Sequence, residues 1–170
     1  CAVMIVTAII LLWPDQEEPT PKEKTEKLEN HEDKLVIASD INAIRKQLTN
    51  PSTAKEAFEQ LEQMVKDGDT SATFIMSRLY AVSSGSFTLA DEFVTMQANL
   101  QGVIEQDPAN AHRLLGETIK KNPKHYQALY ELACDYYEGP ALTGGEARNL
   151  RYAKDLLDKA YAAASEAEDP

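Results

Sequence analysis

Two histidines and three carboxylates near the middle of the chain are the residues whose types could support acid–base chemistry. His112 and His125 lie thirteen residues apart. Catalysis by such groups needs a nearby hydroxyl or thiol and an orienting carboxylate, and no motif supplies that set. Glu131 with Asp135, and Asp135 with Glu138, have the spacing of ordinary solvated pairs on a helix. We therefore expect no catalytic centre and no enzymatic activity.

Glycines spaced as in a phosphate-binding loop occur at Gly139 and Gly144, within GPALTGGE. That motif continues with a lysine and then a serine or threonine, whereas this chain continues with Gly145 and Glu146. A carboxylate thus stands where a cation would contact phosphate. We predict that these glycines form turns, and we expect no cofactor.

Cysteine number and net charge argue against two further classes of function. Cys1 and Cys134 lie at opposite ends of the chain, whereas a thiolate metal site or a disulfide framework needs more ligands at short spacing. We expect no metal site, and a small buried thiol at Cys134. The formal net charge of −11 repels a phosphate backbone, so nucleic acid is not an expected partner.

Tyrosine is concentrated towards the end of the chain, with six of the seven in the last 45 residues. Helical spacing puts Tyr126, Tyr130 and Tyr137 on one stripe. The stripe has two interpretations: packing in a core, or a groove that binds a partner, with arginines nearby. Aromatic and arginine side chains dominate the energy of many interfaces. The residues predicted to bind a partner are Tyr126, Tyr130, Tyr137, Arg148 and Arg151.

The elements that would position these residues are helices. From Leu35 onward, apolar residues recur at helical spacing, which predicts seven helices of 10 to 16 residues. Gly68 is predicted to end one of them. The predicted helix starts are a capping box of Thr53 with Glu56, Asp69 or Thr70, Thr88 to Asp91, Asp107 with Pro108, and Asn122 with Pro123.

The chain also repeats itself when it is overlaid on its own sequence. Each helix pair of a repeat array has an apolar face that it cannot cover alone, so small and large apolar residues recur at fixed intervals. A shift of 54 matches Ala57, Leu61 and Val65 with Ala111, Leu115 and Ile119; a shift of 56 matches Ala72, Met76, Leu79 and Tyr80 with Ala128, Leu132, Asp135 and Tyr136; and a shift of 42 matches Ala111, Leu114 and Leu115 with Ala153, Leu156 and Leu157.

Three segments resemble known helical repeats. VIEQDPANAHRLL and TIKKNPKHYQALYELACDYY resemble tetratricopeptide repeats, and AKEAFEQLEQMVKDGDTSATFIMSRLY resembles the Sel1-like variant. GPALTGG resembles a connection in some bacterial tetratricopeptide proteins of the envelope, including small subunits that work with solute-binding proteins. The resemblance covers residues 54 to 164 and implies an all-α fold, with antiparallel helix pairs stacked as a short right-handed α-solenoid.

An uncharged apolar segment, CAVMIVTAIILLW, occupies residues 1–13. A membrane span needs about 20 apolar residues, so with further residues upstream this segment would be the outer part of a transmembrane helix that ends at an interfacial Trp13. The alternative is a lipid-modified Cys1 followed by Ala2, which resembles a bacterial lipoprotein. A buried core segment is the third interpretation.

Residues 14–34 contain three prolines and twelve formal charges but only one large apolar residue, Leu28. Such a segment cannot bury enough surface to offset its ordering entropy, so we predict a flexible acidic tether. The charges nearest Trp13 are acidic, whereas cytoplasmic flanks favour Lys and Arg. We therefore expect the helical repeat domain, residues 35–170, to face the periplasm or the exterior of a bacterial cell.

These observations predict a membrane-anchored scaffold that binds a protein or peptide partner in an envelope complex. The alternative is a helical-repeat component that passes an apolar small molecule to a transporter or binding protein.

Overall fold

The computed structural model describes residues 41–83 and 89–168, which belong to one compact unit, Ser39–Pro170. The predicted anchor and tether, residues 1–13 and 14–34, lie outside the described residues. Within that part of the chain there are eight helices and no strand, only an isolated bridge between Gln101 and Ile104. The all-α class is confirmed. None of the described helices combines the length and apolar character needed to cross a membrane.

The helices are α1 (residues 41–48), α2 (Ala54–Lys66), α3 (Thr70–Tyr80), α4 (Asp91–Asn99), α5 (Pro108–Lys121), α6 (Tyr126–Glu138), α7 (Pro140–Thr143) and α8 (Leu150–Glu168).

Two of the predicted helix starts are confirmed. The Asp69 side chain accepts a hydrogen bond from the Ala72 amide at 2.7 Å and begins α3. Asp107 likewise accepts from the amide of Asn110 at 3.0 Å, with Pro108 as the first residue of α5. Each aspartate satisfies an amide that has no partner inside its helix. Gly68, at φ +92°, follows α2 as predicted.

The predicted capping box at Thr53 does not form. Thr53 precedes α2, but its side chain caps no amide of that helix. Instead, its hydroxyl donates to the Gln47 carbonyl at 2.8 Å. This bond satisfies a carbonyl near the end of α1, so Thr53 joins two helices rather than capping one.

The start predicted at Asn122 and Pro123 is wrong by three residues. Asn122 is the residue that ends α5, and its side chain accepts from the Lys124 amide at 3.1 Å in a local turn. α6 begins at Tyr126, and the Nδ1 atom of His125 accepts from the Ala128 amide at 3.2 Å. The turn competes with capping for the Asn122 side chain, which leaves His125 to cap α6.

Three other boundaries differ from the prediction. α4 has only nine residues, below the predicted 10 to 16, and ends at Asn99, because Gly102 adopts φ +81° and breaks the helix. The glycine segment contains a four-residue helix, α7, where only a loop was predicted. α8 has 19 residues and is longer than predicted.

α3 lies at the centre of the packing, since every residue from Ala72 to Leu79 is buried. The longer helices contact one another in the order α2, α3, α5, α6 and α8, and α4 packs against α2 and α3. Alanines that are almost fully buried, among them Ala57, Ala111 and Ala128, lie on these helices and allow close approach. This order places the start of α6 beside the start of α3.

Candidate functional site

A cleft of about 390 Å³ lies where α1, α3, α4 and α6 meet. The first turns of three of these helices line the cleft, with Ser71 of α3, Glu92 of α4 and Tyr126 of α6. The cleft combines an aromatic wall with several polar groups. The aromatic residues are Phe74, Phe93, Tyr126 and Tyr130, and the polar or charged ones include Asn42, Arg45, Glu92, Gln127 and Glu131.

Tyr126 and Tyr130 lie at the open side of this cleft. Their i, i+4 spacing on α6 places them on one face, and they are 43% and 50% exposed. They are therefore surface residues, and the interpretation that they pack in a core is wrong for both. Behind them, the rings of Phe74 and His125 meet with centroids 4.8 Å apart and hold the start of α6 against α3.

The other three residues predicted to bind a partner do not line the cleft. Tyr137 is 49% exposed, and it lies eleven residues beyond Tyr126 on the same face, about 16 Å along the helix. The Arg148 guanidinium lies over the Tyr137 ring, 4.6 Å from its centroid, which is a cation–π contact. Arg151 is exposed on α8. The structure thus brings Tyr137 and Arg148 together, away from Tyr126 and Tyr130.

One wall of the cleft rests on a buried ion pair. Glu131 lines the cleft, and its carboxylate lies 3.1 Å from the guanidinium of Arg78, whose side chain is 1% exposed. Nη2 of Arg78 and Oε2 of Glu131 form an ion pair, but their geometry is not that of a hydrogen bond. Burial raises the pKa of Glu131, although Arg78 opposes the shift, and burial lowers the pKa of Arg78. The expectation of a solvated Glu131 is wrong.

His112 and Asp135 form a second buried polar cluster. Nδ1 of His112 lies 2.8 Å from Asp135, which is 5% exposed. Burial raises the pKa of Asp135, and its hydrogen bond with His112 opposes that shift. On the other side of the ring, Nε2 lies 3.9 Å from Glu146. The imidazole therefore lies between the carboxylates of Asp135 and Glu146, so the cluster links α5, α6 and the segment before α8.

Tyr136 packs beside this second cluster. Its ring meets the rings of His112 and Tyr152 edge-on, at centroid distances of 5.0 and 4.8 Å. Burial and the neighbouring carboxylate of Glu146 raise the pKa of Tyr136 to about 12. Its hydroxyl therefore stays protonated at neutral pH and acts as a hydrogen-bonding group.

Sequence reasoning missed these buried charges, although two signals were present. Arg78 is the only charged residue in α3, and a single charge in an otherwise uncharged helix indicates a paired one. In the overlay at a shift of 56, Asp135 occupies the place of Leu79, which is fully buried. An acid at a core position of the repeat requires a partner, and His112 provides it.

Two further features bear on reactivity: the thiol of Cys134 and the arrangement of possible metal ligands. Cys134 is half-buried, and burial raises the pKa of its thiol to about 11. The residues that the structure describes contain no group of three or more His, Cys, Asp or Glu side chains that could hold a metal ion.

Comparison of the chain with protein-family models, with curated proteins and with solved structures found no match. The tetratricopeptide and Sel1-like resemblance stays a prediction that rests on the quoted segments, and the cleft is interpreted from its own geometry.

Proposed function

We propose that this protein is a scaffold that binds an extended peptide segment of a protein partner in the cleft between α1, α3, α4 and α6. The observation that carries the proposal is the pair of half-exposed tyrosines, Tyr126 and Tyr130, above the nearly buried rings of Phe74 and Phe93. Tyrosine offers a large apolar area and a hydroxyl at low entropic cost, which is why it is frequent at binding hot spots.

The polar groups of the cleft favour a peptide over an apolar small molecule. Arg45 and Glu92 form an ion pair in the cleft with about 40% of each side chain exposed, and Gln127 and Asn42 add polar groups to its lining. A peptide backbone offers donors and acceptors to such groups. An apolar ligand would desolvate them without replacing their hydrogen bonds, which costs free energy.

The proposed architecture is a short right-handed α-solenoid. At the shifts of 54 and 56, equivalent alanines have similar burial: Ala57 and Ala111 are 0% and 3% exposed, and Ala72 and Ala128 are both 0% exposed. The long helices also contact one another in succession, as the helices of a linear stack do. These similarities support the repeat interpretation and a binding role, since stacked repeats present extended surfaces to partners.

The proposed location of the scaffold rests on the sequence. The uncharged segment 1–13 and the charged segment 14–34 support a membrane anchor and a tether, with the helical domain on the periplasmic or exterior face of a bacterial envelope. The partner would then be an envelope protein.

A display library of random twelve-residue peptides, selected on the full chain, supplies a probe for the cleft. The selected peptide is titrated against wild type, Tyr126→Ala, Tyr130→Ala and Tyr137→Ala. The last variant is a matched control because Tyr137 is as exposed as Tyr130 and lies on the same face of α6, but outside the cleft. Truncation of a hot-spot tyrosine costs about 1–2 kcal/mol or more, so we expect Kd to rise roughly 5- to 30-fold for the two cleft variants.

A further inference from the structure

The outer face of α8 carries an apolar stripe that its contact with α6 leaves uncovered. Leu150, Leu157 and Tyr161 recur at helical spacing and are 53%, 42% and 78% exposed. The adjoining face, with Ala153, Leu156 and Ala160, is buried. Lys154 lies within the stripe, since the positions 150, 154, 157 and 161 alternate by four and three residues, which is the spacing of a helix–helix seam.

Comparison with the preceding unit shows that this exposure is unusual for the position. In the overlay at a shift of 42, Leu157 corresponds to Leu115. Leu115 is fully buried, whereas Leu157 is 42% exposed. The residue type that is covered on α5 is thus open on α8, and a complete interface would place another helix there.

The charges of α8 indicate the direction of that helix. Arg151 and Lys154 lie near its start, whereas Asp155, Asp158 and Glu166 lie further along, with Lys159 as the exception. Its first turn has no acidic residue and its last turn has no basic residue. The helix dipole favours acidic residues in the first turn and basic residues in the last turn, so this helix has the less favourable arrangement. An antiparallel copy of the same helix would offset this arrangement, because it places each basic start beside an acidic end.

We propose that two copies of this chain pair through α8, antiparallel and about a two-fold axis. Leu150 then packs against Tyr161 of the second copy, and Leu157 packs against the aliphatic stem of Lys154 of the second copy. On the flank of the seam, Arg151 of each copy lies beside Asp158 of the other, which gives two equivalent ion pairs. Asp158 exchanges its contact with Lys154 within the helix, at 2.6 Å, for this one.

The dimer is reversible. The stripe is one helix wide, whereas standard interfaces bury roughly 800 Å² per partner, so we expect association in the micromolar range. Electrostatic complementarity then sets its specificity.

Sedimentation velocity of the full chain, from about 1 to 200 µM, brackets a micromolar Kd and tests the pairing. Wild type is compared with Arg151→Asp, with Asp158→Arg and with an equimolar mixture of the two. Each single variant places like charges opposite each other in both of these pairs, and we expect dimerisation at least about 10-fold weaker. The mixture restores opposite charges in both pairs, so the heterodimer forms again.

Circular dichroism checks that the exposed substitutions leave the helices folded, and the uncharged variant Leu157→Gln is expected to be monomeric in the same range. Association through residues 1–13 would be equal in all four samples, which would overturn the proposal. A wild-type chain that stays monomeric throughout would overturn it as well.

Discussion

The most unusual residue in this molecule is Arg78, an arginine at 1% exposure inside a helix that is otherwise uncharged. Burial of a charge costs several kcal/mol unless a partner offsets it. Glu131 provides that partner at 3.1 Å, and Glu131 also lines the cleft. The pair therefore fixes the position of the helix that carries Tyr126 and Tyr130.

Removing one member of this pair should cost more than removing both. Glu131→Leu removes one carboxylate partner of the buried guanidinium, and we expect the free energy of unfolding to fall by about 3 kcal/mol. Arg78→Met combined with Glu131→Leu replaces the pair by apolar side chains and should recover most of that loss. Urea unfolding at pH 7 compares the wild type, Arg78→Met, Glu131→Leu and the double variant.

The exposed pair of Arg113 and Glu117 is the matched control, with side chains 57% and 45% exposed. Arg113→Met should change stability by less than about 1 kcal/mol, because exposed pairs contribute little. If the double variant of Arg78 and Glu131 loses as much free energy of unfolding as the two single variants combined, the two residues do not stabilise each other and the account of the ion pair is contradicted.

Cys134 provides a second prediction for a single residue. Burial raises the pKa of its thiol from 9.0 to about 11, so the thiolate fraction at pH 8 falls roughly 100-fold, and the thiolate is the species that reacts. With Cys1→Ser, Cys134 is the single thiol. Because a thiolate of higher pKa is also more nucleophilic, we expect alkylation by iodoacetamide to be about 10-fold slower, or more, in the folded chain than in urea. Similar rates in the two states would contradict the burial of this thiol.

Among the elements, α6 does most to organise the site, because its two faces have different roles. Ala128, Leu129 and Leu132 bury one face in the core, while Tyr126 and Tyr130 remain at the surface. The register of these faces depends on where the helix begins. His125 sets that start by capping the Ala128 amide and by packing against Phe74.

The glycine segment that follows α6 is an element fixed by close packing. Gly144 adopts φ +72°, and a Cβ atom there would overlap Ala109 at the start of α5. Gly144→Ala should therefore lower the free energy of unfolding by about 2 kcal/mol or more. Gly116, inside α5, has open space around it, and Gly116→Ala should stabilise by about 0.5–1 kcal/mol. Thermal unfolding compares the two; equal effects would contradict the role of Gly144 as a packing point.

For the whole molecule, the sequence predicts the faces of helices better than their surroundings. Helical spacing identifies the buried sides of α2 and α5, where Ala57, Leu61, Ala111 and Leu115 are all at most 3% exposed. Spacing alone does not show that a neighbouring helix covers the face with Glu131 and Asp135. That depends on the packing of α3 and α5 against α6, which brings in Arg78 and His112 from elsewhere in the chain.

The cleft was beyond prediction for the same reason. Its walls come from α1, α3, α4 and α6, and the residues that meet, such as Arg45 and Tyr126, are about eighty positions apart in the sequence. Local periodicity does not show which residues far apart in the sequence come together in the fold. The tyrosines could be named, but their division between the cleft and the Arg148 contact required the fold.

The most direct test of peptide binding in the cleft is the ratio of two dissociation constants, those of Tyr130→Ala and Tyr137→Ala for the peptide selected on the wild-type chain. Both tyrosines are about half exposed on one face of α6, so general loss of surface affects them equally. We predict that Tyr130→Ala raises Kd by at least about 5-fold, while Tyr137→Ala leaves it within about 2-fold of wild type, as expected away from a hot spot. An unchanged Kd for Tyr130→Ala, or a larger loss for Tyr137→Ala, would contradict binding in the cleft.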